Sequence, residues 1–256
     1  MIVPVANILQ PLIDIANGVL QFFHDNVGLS WGMSIIALTI VTRAALIPLT
    51  YKQIKGMRAM QALQPQIKEL QAKYKNDKQR MQQEMMRFYK ENKVNPFASC
   101  IPLIAQLPVF ITLFYVLRHE LPPDMGCPEA GHCAAYGAEF LFINDLTAKA
   151  TGAELITLII LYVGTQLASG YFMSVTADKS QRTMMFILPL IFVPFILSFP
   201  AGLILYWITT NTWTIGQGLA VKKLIPAPVV ATPAGAAAIA AAKPPPKPPK
   251  KKKRRR

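Results

Sequence analysis

A single cation sits deep inside an apolar stretch of this sequence. Arg43 lies twelve residues past Trp31, about 18 Å along a helix, in a run from Trp31 to Tyr51 that contains no acid. Placing an arginine there costs roughly 2.5–3.5 kcal/mol on insertion scales. One reading is that it snorkels toward Tyr51. The other is that it meets polar groups inside the fold. The remaining apolar runs hold no Asp or Glu to pair with it, but they do hold Gln106, Thr165, Gln166 and Ser169. Thr39 and Thr42 share its own run, while Trp207, Asn211 and Thr214 follow one helical face of the last. A cation among hydroxyls and amides requires water, so the helices are expected to enclose a hydrated cavity.

Other chemistry finds little support. His24, His119 and His132 all lie outside the apolar runs, and no nucleophile–base pair or cofactor site is visible. A proton-coupled transporter would want an intramembrane carboxylate, and a cation channel would avoid a lone Arg. Cys127 and Cys133 lie in an acidic segment, where an oxidising compartment permits a disulfide. Free thiols are the alternative. With His132 alone beside them, they are too few for a metal site, so none is expected.

The elements that must position Arg43 follow from composition. The 256 residues are 52% hydrophobic and 16% charged, too apolar for an ordinary soluble domain. Five stretches, about 31–51, 97–117, 155–176, 184–199 and 201–221, each approach the roughly 20 residues that cross a hydrocarbon core. The fourth is short and carries Pro189 and Pro194, which predicts a kink. The 52–96 segment holds eleven Lys/Arg against four Asp/Glu, and 118–154 holds two against six. Lys179 and Arg182 mark the next link, and everything after Val221 is basic. Basic loops stay cytoplasmic, which predicts the N-terminus outside and the C-terminus inside.

No secretory signal is expected at the N-terminus, since nothing basic precedes an apolar run. Within residues 1–30, polar residues recur at threes and fours from Pro11 to Asp25, with Pro11 at a first-turn position. That pattern predicts an amphipathic helix on the outer membrane interface. In 52–96, apolar residues repeat at threes and fours from Ile54 to Tyr74 and resume at Met81. With Asp77 placed as a cap and Pro65 as a kink, this predicts an antiparallel helical hairpin. Its stripe is either the seam between two arms or, through Met57, Met60, Met81 and Met85, an adaptable docking surface. Residues 224–256 are Pro/Ala-rich and read as a disordered tail. It ends in Lys250, Lys251, Lys252, Lys253, Arg254, Arg255 and Arg256. These cations suit ribosomal RNA phosphates or anionic lipid heads, or serve only as a topology anchor.

The residues also resemble a known family. Trp31-Gly32, Ser34-Ile35-Ile36, Arg43 and Pro48-Leu49-Thr50 look like the first core span of the YidC/Oxa/Alb membrane protein insertases, in their short bacterial form. Asp77 to Met86 resembles the family's hairpin, and Asn95-Pro96, Cys100, Pro102 and Gln106 to Phe110 its second span. Phe199 to Trp207, Asn211 and Gln217 resemble its last. The resemblance covers residues 31 to about 223. It implies an all-α polytopic protein of the bacterial inner membrane, not an enzyme, that inserts nascent membrane proteins alone or beside the Sec translocon. It also implies a hydrophilic groove holding Arg43, open to cytoplasm and lipid and closed outside, with Thr39 and Trp207 along it. From the residues themselves, Gln106 and Asn211 join that set. A family Gln is replaced by Tyr171, so no groove role is carried there. Arg43 would attract acidic groups in a substrate's short tail while its apolar segment slides against the first and last spans.

Overall fold

The structure, a computed structural model, describes residues 3–92, 94, 101–174 and 179–224. The polybasic tail, Cys100 and the start of the second predicted span lie outside the described residues. The described chain is helical, with two isolated backbone bridges and no sheet. In chain order the helices are α1 (Val3–Gln21), α2 (Trp31–Ala45), α3 (Ile47–Ala62), α4 (Gln64–Lys73) and α5 (Lys78–Glu91). They continue as α6 (Ile101–Tyr115), α7 (Leu121–Asp124), α8 (Gly152–Ser174), α9 (Lys179–Ile196) and α10 (Ala201–Leu224). One wider turn, Val116–Glu120, joins α6 to α7, so this helical rod outruns the predicted end at Leu117.

Two boundaries differ from the sequence reading. The first predicted span runs to Tyr51, yet the chain bends by 54° at Leu46, between α2 and α3. Pro48 is the cause, because its nitrogen has no hydrogen to return to the Ala44 carbonyl and its ring crowds that carbonyl. The hairpin's first arm therefore begins inside the predicted span. The second difference is Pro11, which lies within α1 and not in its first turn. The helix forfeits one backbone bond there and keeps its packing, with Ile13 and Leu20 buried in the core beside α2 and α6.

Other signals match their structures. Asp77 caps α5, its carboxylate accepting from Arg80 N–H at 2.9 Å. Pro65 sits in the first turn of α4 after a break at Leu63. Among the described residues α8 alone is long and apolar enough to cross a bilayer, and the bent pair of α2 with residues 47–54 is a second candidate. α10 is longer than α8, but its Thr209 to Thr212 run and Gln217 dilute its apolarity.

Burial is concentrated at one end of the bundle. Ile35 and Leu38 of α2, Leu113 and Leu117 beside α6, Leu158 of α8, Ile196 of α9 and Leu203 and Ile204 of α10 form one core with Ile143 and Leu146. All lie toward the end carrying the 118–154 segment, here termed the loop end. From Ile40 onward, no residue of α2 is buried. Two close approaches fix this end. A Cβ on Gly32 would stand 2.1 Å from Phe140 Cγ, and one on Gly202 2.8 Å from the Leu146 carbonyl. The opening amides of α10, which no helical carbonyl can serve, find loop partners: Ala201 N–H donates to Ala148 O at 2.7 Å and Gly202 N–H to Leu146 O at 2.9 Å.

Candidate functional site

A polar chain crosses the bundle where tight packing gives way. Arg43 on α2 donates from Nη2 to Gln106 Oε1 on α6 at 2.9 Å. Gln106 donates in turn from Nε2 to the Tyr206 hydroxyl on α10. A guanidinium only donates, so Gln106 must turn its oxygen to Arg43 and its amide nitrogen to Tyr206. Three helices thus aim one cation. Arg43 is half-buried, and among the described residues no carboxylate pairs with it.

The other expected groove residues have separate neighbours. Thr39 is fully buried, and its hydroxyl donates to the Ile35 carbonyl at 2.7 Å within α2. Asn211 is buried and its amide reaches Thr165 Oγ1 on α8 at 3.4 Å, a weak tie between helices. Trp207 stacks on Phe110 with ring centroids 5.1 Å apart and touches Phe199 and Tyr162 edge-on or tilted at 6.0 Å. Of the five residues, only Arg43 and Gln106 meet directly. Tyr206 was missed as a partner. A signal for it stands in the sequence: a phenol in an otherwise apolar turn, one turn before Thr210.

Beside this chain lies an apolar cavity of about 1270 Å³ between α2, α3, α8 and α10. Met33, Ile36, Ile40, Ile47, Tyr51 and Ile54 line it at spacings of three and four. Arg43 occupies the missing place in that stripe, between Ile40 and Ile47, and its side chain leaves the cavity for Gln106. Across the cavity stand Leu205, Ile208, Thr209, Thr212 and Trp213 of α10. The cation therefore marks the border between a polar contact and an apolar trough.

Elsewhere, the Cys127 and Cys133 sulfurs stand at 2.08 Å, a bonding distance. In the hairpin, Met60, Met81 and Met85 are half-buried, and the Met57 side chain lies outside the described residues. α5 buries no residue at all.

Comparison with known proteins places the chain among relatives. The sequence model of a family described as 60Kd inner membrane protein matches residues 22–228. A membrane protein insertase YidC of Streptomyces avermitilis is 37% identical over 234 residues, covering 81% of this chain and 55% of that protein. One from Mannheimia succiniciproducens is 39% identical over 212 residues, covering 82% of this chain and 36% of the relative. The crystal structure of an active YidC insertase with its first transmembrane domain resolved superposes with a TM-score of 0.62 at 25% identity. That match covers 83% of this chain and 45% of the other. The chain thus spans about half, or less, of the length of the relatives it matches.

Proposed function

The chain belongs to the 60Kd inner membrane protein family, whose YidC members are non-enzymatic membrane protein insertases, and from that premise we propose that it inserts newly made membrane proteins into the bilayer. Five spans form its core: α2 with the start of α3, then α6, α8, α9 and α10. The loop end faces outside and the hairpin end the cytoplasm, following the distribution of basic residues. The observation that carries the reading is Arg43, held by Gln106 at the border of an apolar trough, in a bundle whose buried core lies toward the loop end.

A substrate's polar tail leaves water reluctantly, and a polar recess reaching partway into the bilayer shortens the apolar path it must cross. Gln106 occupies one of the guanidinium's five donors, leaving others for a substrate carboxylate. The emerging apolar segment then moves along the trough between α2, α3 and α10 into lipid, and burial of its surface drives the step. No nucleotide is required. Met57, Met60, Met81 and Met85 offer an adaptable surface at the cytoplasmic entrance, and the basic tail offers a ribosome or anionic lipid contact. The Sec translocon is a further partner. Tyr206 serves as a positioning residue, because it fixes which face Gln106 shows to Arg43.

The test is reconstitution into vesicles with short-tailed substrates, scored by protease protection. Arg43→Ala is expected to lower insertion of an acidic-tailed substrate by about tenfold, the equivalent of roughly 1.4 kcal/mol, and to spare a neutral-tailed one. Arg43→Lys should retain most activity, since charge matters more than fork geometry here. Tyr206→Phe should fall between, and should add nothing in an Arg43→Ala background because the two act as one unit. Undiminished insertion of acidic tails by Arg43→Ala would overturn the reading.

A further inference from the structure

At the loop end, Phe140 and Ile143 exchange both backbone hydrogen bonds, at 2.9 and 2.8 Å, and close a tight turn over Leu141 and Phe142. Leu141 has a φ of 54°, the only positive φ outside glycine among the described residues. A γ-branched side chain is costly in this left-handed conformation, which glycine would adopt freely. Leu141 is nevertheless 85% exposed and Phe142 41% exposed. In water, such a tip would combine backbone strain with two bare apolar side chains and gain nothing from either.

The turn is also aimed, not slack. The Phe140 ring lies against Gly32 so closely that no side chain fits there. Ile143 is buried in the main core. Two residues on, the Asp145 carboxylate accepts from Cys133 N–H at 2.7 Å and from Thr147 N–H and hydroxyl at 2.8 and 2.6 Å. What the tip meets is set by its neighbours. It shares the cavity wall with Met33 and Ile36 of α2 and with Leu158 and Leu161 of α8. Met33 lies in the first turn of α2, and Ile36, Leu158 and Leu161 lie further inside α2 and α8, so the tip faces a wall that runs from the helix ends into the bundle. On α8, the helix apolar enough to span alone, Ile156 and Ile160 are exposed apolar residues as well.

We propose that Leu141 and Phe142 form a membrane-inserted tip that seats in the acyl layer of the loop-side leaflet and seals that end of the apolar trough from water. The reciprocal hydrogen bonds of Phe140 and Ile143 suit this role, because they pair the backbone at the base of the turn and leave only the groups of Leu141 and Phe142 to the headgroup boundary. The proposal rests on the membrane-spanning reading of α8 and not on the insertion activity.

The test places a nitroxide at Leu141→Cys in a Cys100→Ser background, in the full chain reconstituted into phosphatidylcholine vesicles with a minor phosphatidylglycerol fraction. Phe142→Cys is the second reporter, Ile156→Cys the lipid reference and Glu139→Cys, exposed beside the turn, the water reference. At 141 and 142, collisions with oxygen should match those at 156, and collisions with a water-soluble nickel chelate should fall several-fold below those at 139. Nickel access at 141 and 142 equal to that at 139, with 156 still protected, overturns the proposal. That result would leave a protein partner as the cover for the tip. Nickel access at 156 as well would show that the spanning reading of α8 has failed, and the tip proposal with it.

Discussion

The two long segments between helices, 118–154 and the α3–α5 hairpin region, are built on opposite principles. The first is tied down at many points. It buries Leu121, Cys127, Cys133, Ala138, Ile143, Asp145, Leu146 and Thr147, and it serves the opening amides of α10 through Leu146 and Ala148. The second is a continuation of α2 past a proline bend, and its return arm α5 buries nothing. Ile54 and Ile67 are its buried apolar residues among those described, while Met81, Met85 and Phe88 are only half-covered. The difference separates a region whose polar and apolar groups are matched from one whose apolar groups are only partly covered. A segment that caps a bundle must satisfy its own backbone, whereas a segment left half-covered keeps apolar surface for another chain.

The sharpest way to break the contrast is at Asp145. Asp145→Ala would leave the buried Cys133 and Thr147 amides without their acceptor. The loss should be about 3 kcal/mol, read as a lowered unfolding midpoint in detergent micelles with faster amide exchange at both residues. An unchanged midpoint would mean the loop is held by its apolar contacts alone. The hairpin should respond more weakly and only locally. Asp77→Ala removes the cap of α5 and should cost about 1 kcal/mol, seen as faster exchange in its first turn with the global midpoint unmoved. A comparable fall in the global midpoint would show that the hairpin is part of the cooperative core. The smallest effect is expected at Arg87, whose 2.9 Å pair with Glu91 is fully exposed. Arg87→Ala should leave both midpoint and exchange unchanged within error, because such surface pairs contribute little.

Much of this protein could be read directly from its residues. The apolar runs, the alternation of basic and acidic segments, the Asp77 cap and the isolation of Arg43 are local properties of composition and spacing. They single out the cation on which the proposed function turns, because a charge in an apolar run and a cap before a helix follow from chemistry within a few residues, whereas the family is named by the resemblance of its motifs. The break at Leu46 follows from Pro48, but the sequence reading carries the first span unbroken to Tyr51.

What local pattern could not supply was partnership. Thr39, Asn211 and Trp207 carry the polar and aromatic groups a groove would use, and the fold sets what they meet: the Ile35 carbonyl, Thr165 and Phe110. Tyr206 became the far end of the Arg43 chain only because α6 brings Gln106 between the two helices. Leu141 stands at a left-handed φ because Phe140 and Ile143 are both held by the core around it. Sequence fixes what each side chain can offer at its own position, through periodicity and charge. Which neighbour receives it is decided by helices distant in the chain, since hydrogen bonds and contacts act over a few ångströms of space and not along the sequence.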